Sequence, residues 1–128
     1  MKNGQILELY EALNRISAKK DIKFSVYAGY AIAKNKETLR QEAVLIYKMR
    51  QDIVMEHGTL DGKDIIVPKE YIDEVNQKIN ELMEIETEVK LLCVPVDAFF
   101  GVELNIEDIE GLSFMIVPEM PEHIHLHE

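Results

Sequence analysis

Three histidines, His123, His125 and His127, alternate with Ile124 and Leu126 near the end of this chain. In an extended backbone their imidazoles face one side, an arrangement that can share a Zn²⁺ or Ni²⁺ ion. A metal centre also needs partners that orient its ligands, and a segment that follows Pro118 and Pro121 offers none. The histidines are therefore read as an edge strand or an adventitious binder, and no metal or cofactor is expected. Cys93 sits in the apolar run Leu91-Leu92-Cys93-Val94, which predicts a buried, inert thiol. Ser17, Ser25 and Ser113 lack the setting of a nucleophile elbow. The 6 glycines are scattered and form no phosphate loop. Glu84, Glu86 and Glu88 could contribute to a cation site, but their alternation on a strand predicts a solvated face. His57 reads as a helix-end residue. No catalytic residue is expected.

The best small-molecule candidate is the start of the second helix. Ser25, Tyr27, Tyr30 and Lys34 gather there with Gly29 and Lys36, just after Lys19, Lys20 and Lys23. Free helix amides, lysines and aromatic rings together suit an anion that carries a ring, such as a nucleotide. The competing reading is that Ala28, Gly29, Ala31 and Ala33 are small so that another helix can approach, with the lysines as solubilising charges.

These residues must be positioned by helices. Asn3 is an apt N-cap for a helix reaching Lys19, with Ile6, Leu9, Leu13 and Ile16 as its apolar face. Ser25 caps a second helix that runs to His57, with Gly58 as its stop. About 30 residues at 1.5 Å rise give a length near 45 Å, more than the roughly 28 Å width of a domain this size. Either this helix breaks near Gly29 or Asn35, or part of it packs on another copy. Its heptad-like row Ile32, Leu39, Ile46 and Ile53 is the expected oligomer interface. The turn Asp61-Gly62 predicts a hairpin near residues 60–67. A third helix follows from Lys69 to Met83, with Tyr71, Ile72, Val75, Ile79 and Leu82 as its buried stripe. Period-two alternation predicts a strand near residues 85–94, with Thr87, Val89, Leu91 and Cys93 on one face. Asn105, with Asp108 three residues on, opens a fourth helix whose apolar set is Ile106, Ile109, Leu112 and Met115. Val102-Glu103-Leu104 reads as a short strand. The fold class is α+β, with about four helices, one of them long, and a small antiparallel sheet. Residues 1–118 form one domain and 119–128 a histidine-rich tail.

Charge is distributed unevenly. Residues 1–68 carry 11 Lys and Arg against 9 Asp and Glu, a balance of +2. Residues 69–128 carry 3 against 15, a balance of −12, which gives the chain its net −10. Such a split suits a basic partner surface or a second copy head to tail, and it also keeps a protein soluble. Acidity excludes general nucleic-acid binding, which draws on Lys and Arg. With 47% apolar and 30% charged residues the chain is globular in composition. No apolar run approaches the about 20 residues of a membrane span, and Met1-Lys2-Asn3-Gly4-Gln5 leads into an amphipathic stretch rather than a signal-peptide core. A cytosolic protein is expected.

The stretch Ile22-Lys23-Phe24-Ser25 through Ala31-Ile32-Ala33-Lys34-Asn35 precedes the long charged helix. Asp61-Gly62, the Glu-Thr-Glu-Val run at 86–89 and the acidic segment from Ile106 to Ile116 follow in order. This order resembles a family of small proteins encoded by tailed phages and prophages of Firmicutes. The segment from Leu91 to Val102 and the histidine tail depart from it. The resemblance implies phage origin and action by binding, in the cytoplasm of the infected bacterial host. The leading expectation is a non-enzymatic, homo-oligomeric accessory protein that counters bacterial defence. It would sequester a small anionic nucleotide or occupy a host defence protein. The alternatives are a virion component or tail-assembly chaperone, and a metal-dependent enzyme that uses the tail histidines.

Overall fold

The structure, a computed structural model, describes residues 1–117. The histidine tail lies outside the described residues. The architecture is α+β. Four helices, α1 (Asn3–Ser17), α2 (Val26–Met55), α3 (Ile72–Glu84) and α4 (Ile106–Leu112), accompany two small strand pairs. β1 (Thr59–Asp61) and β2 (Asp64–Ile66) form an antiparallel hairpin with Leu60 opposite Ile65. β3 (Val94–Pro95) and β4 (Ile116–Val117) pair in parallel, Val94 opposite Ile116. No helix of the described residues is long and apolar enough to cross a membrane.

α2 is one uninterrupted helix of 30 residues, about 45 Å long at 1.5 Å rise. Neither Gly29 nor Asn35 breaks it. The Ser25 hydroxyl accepts the Ala28 N–H at 3.1 Å and caps the first turn. At the far end the glycine has a different job from the one its position suggests. Gly58 does not adopt a left-handed conformation. It is needed for space, because a Cβ there would lie 2.7 Å from the Val54 carbonyl oxygen and 2.8 Å from Ile65 Cγ2. The hairpin turn does use a left-handed glycine, Gly62, with φ 64°.

The core lies between α1 and α2 and is closed by residues of α3, β3, α4 and the turns that flank α4, while the hairpin β1–β2 stays outside it. Ile6, Leu13 and Ile16 of α1 meet Ile32, Leu39 and Ile46 of α2, with Leu82, Val94, Leu112 and Met115 completing the cluster. Phe24 packs edge-on against Phe99, ring centres 6.1 Å apart, which ties the approach to α2 to the short turn Val96–Phe99.

The expected row at seven-residue spacing therefore points inward. Ile32, Leu39 and Ile46 are buried in this chain's own core and Ile53 is partly buried against it, so the interface expected there is corrected. Their burial already gives each side chain roughly 1.5–3 kcal/mol, leaving nothing for a second copy to cover. Two other apolar stripes are narrower than predicted. In α3 only Val75 and Leu82 are buried, while Tyr71, in the separate 3₁₀ turn Lys69–Tyr71, and Ile72, the first residue of α3, are exposed. In the seven-residue α4, Leu112 is buried but Ile106 and Ile109 face outward. Val102-Glu103-Leu104 forms no strand.

Residues 85–93 keep the expected alternation for most of their length, and their only backbone pairing among the described residues is a single antiparallel bridge, Glu86 with Lys2. Thr87, Val89 and Leu91 face in while Glu86, Glu88 and Lys90 face out. The alternation slips at the next residue, where Cys93 is exposed rather than buried and Val94 turns inward to start β3. Two buried asparagines add to this bridge and hold the rest of the segment. Asn3 does not cap α1. Its amide donates to the Leu82 carbonyl at 2.9 Å and its oxygen accepts the Thr87 hydroxyl at 2.7 Å. Asn35, fully buried in the middle of α2, donates to the Leu92 carbonyl at 2.8 Å and accepts the Leu92 N–H at 2.7 Å. Its second amide hydrogen points to Met115 Sδ at 3.5 Å. The 85–92 segment is thus a strap pinned at both ends to helices.

Candidate interaction surfaces

Tyr27, Tyr30 and Lys34 fall at three- and four-residue spacing on the outer face of α2. All three are exposed, the tyrosines to 60% and 62%. Ser25 does not join them. Its hydroxyl caps α2 and donates to the Ala98 carbonyl at 3.3 Å. The lysines expected around an anion are dispersed. Lys36 donates to the Ser17 hydroxyl at 3.1 Å, and Lys19 donates to both oxygens of Asp108 at 2.9 and 2.8 Å.

Among the described residues, none of the depressions noted below is lined by Tyr27, Tyr30 or Lys34. One enclosed cavity among the described residues has a volume of about 170 Å³ and is bounded by Asn3, Glu42, Ile46, Leu82 and Thr87. That is smaller than the about 300–1,000 Å³ typical of small-molecule sites. A wider depression is bordered by Lys19, Asp21, Leu104 and Asp108, but its one cation is already paired with Asp108. The aromatic–lysine group thus sits on a convex helix surface, suited to a broad contact rather than to enclosing a ring.

The outer face of α2 is amphipathic in an unusual order. Val26, Tyr27 and Tyr30 make an apolar end, Lys34, Glu37 and Gln41 a polar middle, and Val44 and Leu45 a second apolar end, all of them exposed. Glu37 is held by the fork of Arg40, with contacts of 2.8 and 2.6 Å. That hydrogen bond lowers the Glu37 carboxyl below its ordinary range.

A second surface is acidic. Asp73, Gln77, Asn80, Glu81 and Glu84 line one open face of α3. The strap continues it with Glu86 and Glu88, both exposed. Few cations answer these carboxylates. Lys2 pairs with Glu84 at 2.6 Å and the Met1 amino group with Glu86 at 3.0 Å. Lys78, the lysine of α3, turns to Glu56 of α2 instead, at 3.0 Å. Among the described residues Glu70, Asp73, Glu81 and Glu88 make no ion pair. Glu84, Glu86 and Glu88 do not converge as a cation site, because two of them are engaged in separate ion pairs.

At the junction of α2 and the hairpin, His57 stacks flat on Tyr71, ring centres 4.0 Å apart, and its Nε2 contacts Glu74 at 2.5 Å. The expectation of a helix-end role for His57 thus gains two partners that the sequence did not show. Among the described residues the free thiol of Cys93 is exposed on the strap. The candidate metal residues His123, His125 and His127 lie outside the described residues. No family model, curated protein or solved structure matches this chain.

Proposed function

We propose that this chain is a non-enzymatic binding protein of the phage anti-defence kind its sequence resembles, and that it acts by occupying a basic surface of a host defence protein. The observation that carries this reading is the acidic face of α3 and the strap. Its carboxylates project outward at helical and then strand spacing, and three of them, Asp73, Glu81 and Glu88, lack a cationic partner among the described residues. Such a field steers a positively charged partner and accelerates its capture. Protein is favoured over nucleotide as the ligand, because Tyr27, Tyr30 and Lys34 lie on an exposed convex surface and the nearby serine and lysines are already engaged.

The test is a plating assay in bacteria that carry a defence system. Expression of the wild-type chain should restore phage plating, and Asp73→Lys/Glu81→Lys/Glu88→Lys should abolish that rescue while leaving the circular dichroism spectrum unchanged. All three positions are exposed, so the fold tolerates the change. Rescue that survives the triple reversal overturns the acidic-face reading. Failure of the wild-type chain across a panel of defence systems, with the protein recovered from purified virions, would assign it to assembly instead.

A further inference from the structure

The apolar–polar–apolar order on the outer face of α2 reads alike from either end except where Tyr30 mirrors Gln41. We infer that this face is a self-complementary seam on which a second copy of the chain packs antiparallel about a two-fold axis. The axis passes α2 between Asn35 and Lys36. Residues equidistant from that point then meet across the seam. Tyr30 faces Gln41 of the other copy, and Lys34 faces Glu37, each twice by symmetry. The pair Val26 and Tyr27 faces the pair Val44 and Leu45. Val26, Tyr27, Val44 and Leu45 find apolar partners, the exposed Tyr30 ring lies over the Gln41 amide, and the central lysine finds an acid. Three- and four-residue spacing is the spacing of a helix–helix seam. Sliding the second helix by seven residues sets Tyr30 against Lys48 and Lys34 against Val44, which loses the match. A parallel pairing stacks Lys34 on Lys34 and Glu37 on Glu37. Charge complementarity therefore selects one register and one direction.

The Arg40 fork does not block this contact, since each oxygen of the Glu37 carboxylate keeps a second lone pair for Lys34 of the other copy. The seam spans about 30 Å of helix, at 1.5 Å per residue from Val26 to Leu45. One helix pair of that length lies at the small end of specific interfaces, so association in the range of about 1–100 μM is expected. The proposal rests on observations independent of the acidic face, which lies on α3 and the strap.

Sedimentation equilibrium of the full chain, from about 5 to 500 μM, should show a reversible monomer–dimer exchange. Tyr27→Glu/Val44→Glu should weaken it by at least about tenfold, equivalent to 1.4 kcal/mol. Register is read by cross-linking in a Cys93→Ser background. Chains with Tyr30→Cys and chains with Gln41→Cys should form a disulfide when mixed and oxidised, and neither should cross-link alone. A monomer at 500 μM, a dimer insensitive to Tyr27→Glu/Val44→Glu, or Tyr30→Cys chains that cross-link only to themselves would each overturn the proposal. The thermal transition of each variant separates lost association from lost fold, because all the altered side chains are exposed.

Discussion

Asn35 engages both backbone groups of Leu92, donating to its carbonyl at 2.8 Å and accepting its N–H at 2.7 Å, across 57 residues of sequence. A side chain here does what a neighbouring strand would do. It satisfies an extended segment that has no ladder, and it does so from the buried face of a helix.

Replacing Asn35 by Leu keeps roughly the volume and removes both bonds, leaving the Leu92 N–H and carbonyl unpaired. Each unpaired group costs about 1–3 kcal/mol when buried. We expect a loss of about 2–4 kcal/mol and a fall in melting temperature of about 10 °C, measured by circular dichroism. A fall under about 3 °C would show that water takes over both bonds.

The second expectation concerns Lys19 and Asp108. Asp108 is nearly inaccessible, and Lys19 is its ionic partner at 2.8 Å. Lys19→Met should cost about 2–3 kcal/mol, at or below the usual range for stranding a buried charge because the lysine is itself partly exposed. Asp108→Leu in the same chain removes the stranded carboxylate but also the cap bond to Asn105. A double-mutant cycle by urea denaturation should give a coupling above about 1 kcal/mol; simple additivity would contradict the pairing.

Two glycines of the α2 region should respond with opposite signs. Gly29 has open space around it, the nearest atom to an added Cβ being Phe24 Cβ at 4.0 Å. Gly29→Ala should stabilise by about 0.5–1 kcal/mol through helix propensity. Gly58→Ala drives a methyl into the Val54 carbonyl and Ile65, and should destabilise by about 1–3 kcal/mol. Thermal melts of the two variants check both signs.

Glu56 and Lys78 link α2 to α3, and their hydrogen bond moves the two groups apart in titration. It lowers the Glu56 carboxyl below its ordinary 4.5 and raises the Lys78 amine above its ordinary 10.5. A depressed acid stabilises the fold above its unfolded value and ceases to do so as pH falls through the folded one. A raised base stabilises below its unfolded value and ceases to do so as pH rises through the folded one. The link therefore contributes between these limits and is lost in acid and in strong alkali. NMR titration of the Glu56 side-chain carboxyl should show the low midpoint, and Lys78→Met should return it toward 4.5.

Local chemistry was legible in the sequence where partners lie within a few residues. Ser25 caps α2, Asn105 and Asp108 form their capping box, and Gly62 turns the hairpin as its type demands. Long-range polar partners were not legible, because nothing near Asn3 or Asn35 announces a bond to Leu82, Thr87 or Leu92. The alternation of Thr87, Val89 and Leu91 showed which side faces in but not what satisfies the backbone. The seven-residue row in α2 is ambiguous for a further reason. Helical periodicity marks a face without saying which object covers it, and α1 covers Ile32, Leu39 and Ile46 while the tyrosine face stays open. In short elements such as α4 the period fixes even less, and Ile106 and Ile109 end outside.

The first turn of α1 is fastened to residues 82–87 through Asn3, Leu82, Ile85 and Thr87. This has a consequence during synthesis. A ribosome releases α1 long before its anchors exist. At about 5–20 residues per second, α1 waits roughly 4–16 s for the strap to be made, and longer for it to clear the exit tunnel. Through that interval the amide of Asn3 has no native carbonyl to meet, and Ile6 and Leu7 lack Leu82. α1 can meet α2 once Met55 has emerged, but the first turn of α1 stays unanchored until residues 82–87 follow, with the tyrosine face of α2 already presented. The fastening of the first turn of α1 to the strap comes late, after both partner helices have been made.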